Sequence, residues 1–229
     1  MSDRVLLVTG ASSGIGEACA RAAAAAGYRV ALLARRVERL EALAEELGGD
    51  TRALAIRCDV NVWEDQRDAV GTVLARFGRL DAAFANAGFG ARRGFLEESP
   101  EHWHDMVLTN VYGAALTVRA CVPALRETRG HLFLTGSVAG RKVGPGSLYA
   151  CTKWAVTAMA EAARTDLNGT GVRVTLLAPG VVDTAFYDDP VQGAQLTVDD
   201  VAGAFVFALS RPPHVDVNEI IMRPTIQEF

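Results

Sequence analysis

Two residues four positions apart, Tyr149 and Lys153 in the stretch "SLYACTKWAV" (147–156), carry side chains that can exchange protons together. Residues at i and i+4 share one helix face, so a phenol and an ammonium spaced this way can meet. An unperturbed phenol has a pKa near 10 and is a reluctant acid–base group at neutral pH. A cation beside it favours phenolate and lowers that value. The chain has 23 basic residues, of which two, Lys142 and Lys153, are lysine and the rest arginine. With four tyrosines in 229 positions, chance supplies roughly 0.03 Tyr-x-x-x-Lys matches. A lysine in an otherwise arginine-using chain offers a compact, flexible charge where a guanidinium would differ chemically. The pair reads either as half of a catalytic site or as an ordinary surface contact.

A site needs elements to position it. Short apolar runs rich in β-branched residues alternate with longer helical patterns. Strands are expected at 4–9, 29–34, 52–58, 80–85, 131–136, 172–178 and 219–222, with helices at 14–26, 37–47, 62–77, 100–127, 149–168 and 198–209. Most strands are apolar on both faces, which fits a parallel sheet covered by helices on each side. Strict β–α alternation predicts an α/β fold, a doubly wound sheet of about seven strands in one domain spanning residues 1–229. Ligands of such sheets bind beyond the carboxyl ends of the strands.

Five of those ends carry something unusual. After the first strand comes "TGASSGIG", where Gly10, Gly14 and Gly16, with Ser12, Ser13 and Ile15 between them, open an Ala-rich helix. Glycine permits positive φ and close approach of a pyrophosphate, and the helix N-terminus presents free N–H groups. At the second strand end, where an acidic residue would meet a free ribose 2′-hydroxyl, the chain has Ala34 and then Arg35 and Arg36. A guanidinium, Arg35 before Arg36, suits a 2′-phosphate and so NADP; the plainer reading is the start of a solvated helix. The third end holds Asp59 and Val60, the aspartate able to accept from an adenine amino group. The fourth is Asn86-Ala87-Gly88, small enough for a cofactor to lie on its backbone. The fifth is "TGSVAG", with Ser137 at the rim.

Composition sets the outer limits. Half the residues are apolar and 22% are charged, as in a globular protein. A net charge of −4 gives no basic field for nucleic acid or an anionic membrane. The four cysteines (19, 58, 121, 151) are scattered, as for free thiols in a reducing compartment. "HWH" at 102–104 does not suggest a metal site, because residues two apart on a helix point in different directions. The start of the chain runs into a strand without a signal-type apolar stretch, and no run reaches membrane-spanning length, so a cytoplasmic location is expected.

Taken together, "TGASSGIG" (9–16), "NAG" (86–88), Asn110 in "LTN", Ser137, "YACTK" (149–153) and "PGVVDT" (179–184) make the chain resemble the short-chain dehydrogenase/reductase family, in its compact, NADP-preferring type. The match spans nearly the whole chain with every element in family order. It departs in two places. The Ser137–Tyr149 interval is one residue shorter than usual, and the segment after Thr184, where members carry a substrate-covering lid, is short.

The resemblance implies a Rossmann-type fold and an oxidoreductase moving a hydride between NADP(H) and a carbonyl or alcohol substrate. Tyr149 would exchange the proton, Lys153 would tune it and hold the nicotinamide ribose, and Ser137 would orient the substrate oxygen. Asn110, a mediocre helix former within a predicted helix, would interrupt helical bonding and hold a proton-relay water. Pro179, Gly180, Val182 and Thr184 would border the nicotinamide. Phe89, Val138, Val143, Phe186 and Tyr187 suggest an apolar to mixed pocket for a neutral small molecule, with Arg92, Arg93, Arg141 and Lys142 as the charges whose placement is open. Family surfaces on the helices at 100–127 and 149–168 and on the last strand with its "RPT" tail imply a homodimer or homotetramer, with Trp154 and Met159 either in that contact or in the core. The alternative is a catalytically silent NADP(H)-binding sensor. A nucleotide-sugar epimerase or dehydratase would want a larger C-terminal portion than residues 185–229.

Overall fold

Strands apolar on both sides must be covered on both faces, and the arrangement of residues 3–92, 94–143, 147–184 and 193–227, the part of the chain described by the computed structural model, meets that demand. Seven strands form one parallel sheet: β1 (Val5–Thr9), β2 (Arg29–Ala34), β3 (Ala53–Arg57), β4 (Ala82–Ala85), β5 (His131–Thr135), β6 (Arg173–Pro179) and β7 (Glu219–Met222). Their order is β3-β2-β1-β4-β5-β6-β7. The helices between them are α1 (Gly14–Ala25), α2 (Val37–Glu46), α3 (Trp63–Phe77), α4 (Pro100–Val107), α5 (Ala114–Thr128), α6 (Leu148–Asp166) and α7 (Val198–Leu209).

The period of two along each strand sorts the core into two layers. Leu6 and Val8 of β1 join Leu32, Phe84, Phe133 and the α7 residue Phe205 on one face, packed with α1 and α2. Val5 and Leu7 face the other way, toward Val73 of α3, Leu125 of α5 and Val156 of α6. Phe84 stacks on Phe205 at 5.0 Å between ring centroids. Each fully buried side chain of this size contributes about 1.5–3 kcal/mol of apolar transfer, enough to hold the strand ends in fixed relation.

The sheet order reverses beside β1: the chain moves out through β2 and β3, then returns to β4 on the other flank. That reversal opens a crevice above the carboxyl ends of β1 and β4. Strand positions agree with the sequence expectation to within two residues.

One helix differs. In place of a continuous helix over 100–127, α4 and α5 are joined by a π-helical turn, Leu108–Gly113. Buried Asn110 lies in it and turns its amide onto the backbone of Phe89. The carbonyl of Gly113, at the end of this turn, accepts from Gln66 Nε2 at 2.9 Å and Thr117 Oγ1 at 3.0 Å. Side-chain bonds thus brace the wide turn, a kind of helix irregularity often found at functional sites. Trp154 is exposed, whereas Met159 packs against the core layer below α6. No helix among the described residues is long and apolar enough to cross a membrane.

Candidate active site

The glycine-rich turn after β1 comes first because its backbone is the least replaceable. Gly10 and Gly14 have φ of +67° and +57°, in the left-handed region. A Cβ on Gly10 would lie 2.9 Å from Ala87 Cα, so the β1 and β4 ends touch only because this residue has no side chain. Gly16 is buried against the carbonyl of Gly10 and the amide of Asn86, where a Cβ would collide with both. Ser13, at the N-cap of α1, makes no capping bond. Its Oγ and that of Ser12 instead accept from Arg36 Nη2, at 3.0 and 2.9 Å. The first N–H groups of α1 are left to an anion, with a guanidinium beside them.

Asn86 ties three strand ends together. Its Nδ2 donates to Thr9 O at 3.1 Å, its backbone N donates to Thr9 Oγ1 at 3.0 Å, and its Oδ1 accepts from Thr135 Oγ1 at 3.0 Å. The neighbouring Gly88 is held close: a Cβ there would approach Asn110 Oδ1 at 2.9 Å and Lys153 Nζ at 3.8 Å. Asn110 accepts from Phe89 N at 3.0 Å and donates to Phe89 O at 2.9 Å and Thr152 Oγ1 at 3.1 Å. It stands one layer behind the turn and fixes its path.

α6 starts where Ser147 Oγ accepts from Ala150 N at 3.2 Å, so Tyr149 and Lys153 lie in its first turns. Lys153 is buried, 4% exposed, and donates from Nζ to Thr135 O at 2.8 Å. Its Nζ lies 5.7 Å from the centroid of the Tyr149 ring. Burial lowers its pKa from 10.5 to about 8, which leaves it a cation at neutral pH but one held against its hydration preference. Ser137 is buried at the end of β5, and its Oγ accepts from Ala139 N at 3.1 Å, leaving the hydroxyl proton to donate.

These groups surround one cavity of about 1140 Å³. Every site residue expected from the sequence lines it except Gly16 and Asn110, which support the lining from behind. Asp59 and Val60 line the end near β3, where Asp59 Oδ1 also accepts from Asn61 N at 3.0 Å. Arg35 and Arg36 are both exposed and both line the cavity, but it is Arg36 that is bonded to the turn. Pro179 at the end of β6 and Gly180, Val182 and Thr184 after it line the cavity, as do Phe89, Val138 and Val143. Phe186, Tyr187 and Arg93 lie outside the described residues.

Of the charges left open by the sequence, Arg141 is bound to Glu219, with its Nε 2.8 Å from Oε1, whereas Arg92 and Lys142 line the cavity. Among the lining residues that carried no sequence signal as site groups are the polar Glu98, His102, Arg223 and Gln227. In the sequence His102 stood out only through the "HWH" stretch at 102–104. Its Nε2 lies 2.8 Å from Gly90 O, with its ring edge-on to Phe89.

Comparison with known proteins places this geometry in context. Residues 4–193 match the family model described as short chain dehydrogenase. An uncharacterised oxidoreductase of Staphylococcus aureus is 35% identical over 228 residues, with 98% of each chain covered. The solved structure of an alcohol dehydrogenase from the archaeon Thermococcus sibiricus, complexed with 5-hydroxy-NADP, superposes with a TM-score of 0.91 at 36% identity, covering 98% of this chain and 97% of that one. The closed form of a serine dehydrogenase complexed with NADP+ gives a TM-score of 0.87 at 33% identity, covering 98% and 96%.

Proposed function

The chain belongs to the short-chain dehydrogenase/reductase family and is an oxidoreductase of that family; on that premise we propose that it transfers a hydride between NADP(H) and a carbonyl/alcohol substrate, with Tyr149 as the acid–base catalyst. The observation that carries this reading is that Tyr149, Lys153 and Ser137 line the same cavity as the glycine turn with its Arg36.

The residues fit a nicotinamide dinucleotide. The uncapped start of α1, the close-packed Gly10–Ala87 contact and the Gly14–Thr184 approach make a cradle that side chains would fill. Arg35 and Arg36 would hold a 2′-phosphate, Asp59 and Val60 the adenine end, Asn86 to Gly88 the middle, and Pro179 to Thr184 the nicotinamide. When bound, the dinucleotide supplies hydride exchange with the substrate carbon.

The chain's own groups supply the rest. Ser137 donates its free hydroxyl proton to the substrate oxygen and stabilises the charge that develops there. Tyr149 gives its proton to that oxygen in reduction and takes it back in oxidation. Lys153 stands within 5.7 Å of the Tyr149 ring and favours the phenolate that remains. Its bond to Thr135 O keeps the ammonium in register. Asn110 holds Phe89 and Thr152 in place, the positioning role its buried bonds support. The substrate is a small molecule, and the family's surfaces on α4 to α6 and β7 are those of a homodimer or homotetramer.

NADPH consumption against a panel of ketones, aldehydes and oxo acids, with Tyr149→Phe measured alongside, tests the reading. Tyrosine-dependent consumption is the expected result. Equal consumption by both proteins would remove Tyr149 from the chemistry.

A further inference from the structure

Resting on the reductase reading, we infer that Arg223 and Gln227 form a carboxylate-holding subsite at the substrate end of the cavity, so that the substrate is an oxo acid or hydroxy acid. β7 lies outside β6 at the edge of the sheet, away from the β1–β4 reversal where the glycine turn sits. Whatever follows β7 therefore reaches the cavity from the end opposite Arg36. Arg223 is the first residue after β7 and lines the cavity.

Its position is fixed by the backbone. Gly180 N donates to Met222 O at 2.7 Å, and a Cβ on Gly180 would stand 3.4 Å from Arg223 Cα and collide with Gln227 Oε1. Glycine at 180 is thus what lets the chain after β7 close over the β6 turn. Gln227 completes that closure: its N donates to Pro224 O at 3.0 Å, folding the segment back, and its Oε1 accepts from Val181 N at 2.9 Å. With the carbonyl oxygen committed, the amide has its NH₂ to offer as a donor.

Charge matching separates Arg223 from its neighbours. Arg141 is bound by Glu219, and Arg92 stands 3.8 Å from Glu98, whose Oε1 also accepts from Arg92 N at 2.9 Å. Arg223 lines the cavity without an ion pair among the described residues. An exposed guanidinium at the cavity wall, without a carboxylate among the described residues and four positions from an anchored amide in the same segment, is suited to a planar two-oxygen anion. The sequence alone favoured a neutral substrate because this arginine lies 74 residues beyond Tyr149, with no motif around it.

The test compares matched pairs of oxo acids and their methyl esters, acetoacetate and methyl acetoacetate among them, as substrates for wild type, Arg223→Gln and Arg223→Lys. Wild type should prefer the acids. Arg223→Gln should lose about 10- to 100-fold in kcat/KM on the acids, mostly through KM, with at least tenfold less loss on the esters. Arg223→Lys should recover part of that loss, and NADPH affinity by fluorescence titration should hold in both variants. Tyr149-dependent reduction with equal losses on acid and ester, or a loss of NADPH affinity in Arg223→Gln, overturns the subsite and leaves the reductase standing. Tyr149-dependent reduction confined to simple ketones or aldehydes, with none of any acid or ester, overturns the subsite alone, and none across all four classes overturns the reductase reading with it.

Discussion

Replacing Lys153 by methionine separates what the site does from what it costs the fold. The ammonium is buried, and its pKa is lowered from 10.5 to about 8 by desolvation, which corresponds to about 3 kcal/mol against the charged form. Methionine, of similar length, removes that cost and forfeits the bond from Nζ to Thr135 O. A buried carbonyl short of a donor costs about 1–2 kcal/mol. The cofactor-free variant should therefore be more stable than wild type by about 1–2 kcal/mol at pH 7, or roughly 2–8 °C in Tm for a chain of this size. The unfolded lysine keeps its proton up to pH 10.5 and the folded one releases it near 8, so wild-type stability rises across that window. The advantage of the variant should fade over the same range. Urea unfolding followed by circular dichroism, from pH 7 to 10.5, reads both effects. A variant less stable than wild type at pH 7, or a difference that stays constant with pH, would refute the argument. Turnover of the same variant should fall steeply, because the charge that favours the Tyr149 phenolate is gone.

Other outcomes follow from buried groups. Asn110→Ala leaves Phe89 N, Phe89 O and Thr152 Oγ1 without their partner and should cost about 2–4 kcal/mol, read as a lowered urea midpoint; an unchanged midpoint would mean the π turn does not depend on this amide. His131 is neutral in the fold, donating from Nε2 to Thr175 Oγ1 at 2.7 Å, with Nδ1 buried and unpartnered. Burial, then nearby Arg173, hold its pKa well below 6.5, so stability is full above that pH and falls as the unfolded chain takes up a proton below it, by up to about 1.4 kcal/mol per pH unit. His131→Gln should flatten the fall between pH 6.5 and 5, and an unaltered slope would assign the acid sensitivity elsewhere. Arg35→Asp should shift the ratio of NADPH to NADH affinity about 10- to 100-fold toward NADH, and an unchanged ratio would deny it a part in holding phosphate.

Most of the candidate site's lining was legible because a doubly wound sheet brings its strand ends to one kind of place. Each strand announces itself by a short apolar run, and the residue that follows is at the rim by construction; Gly10, Asp59, Asn86, Ser137 and Pro179 are all found this way. Tyr149 and Lys153 share a face because Ser147 starts the helix just before them. What the sequence hid depends on contacts between distant segments. The π turn at Asn110 is made by bonds to Phe89 and Thr152, from other segments, so helical periodicity runs straight through it. Arg36 is the arginine bonded to the glycine turn because the N-cap position of α2 puts its guanidinium on Ser12 and Ser13, a choice between adjacent residues that spacing does not make. Arg223 and Gln227 enter through strand pairing at the far edge of the sheet, a long-range fact with no local signature.

The central claim is that Tyr149 moves the proton while the cavity beside it presents a hydride donor to the substrate carbon. NADPH carrying deuterium at the transferable position, incubated with the best carbonyl substrate from the panel, tests it most directly. Wild type should place the label on the carbinol carbon of the product, and Tyr149→Phe should bind NADPH as tightly but transfer the label about 10²- to 10⁴-fold more slowly. Label transfer by Tyr149→Phe at the wild-type rate would contradict the account.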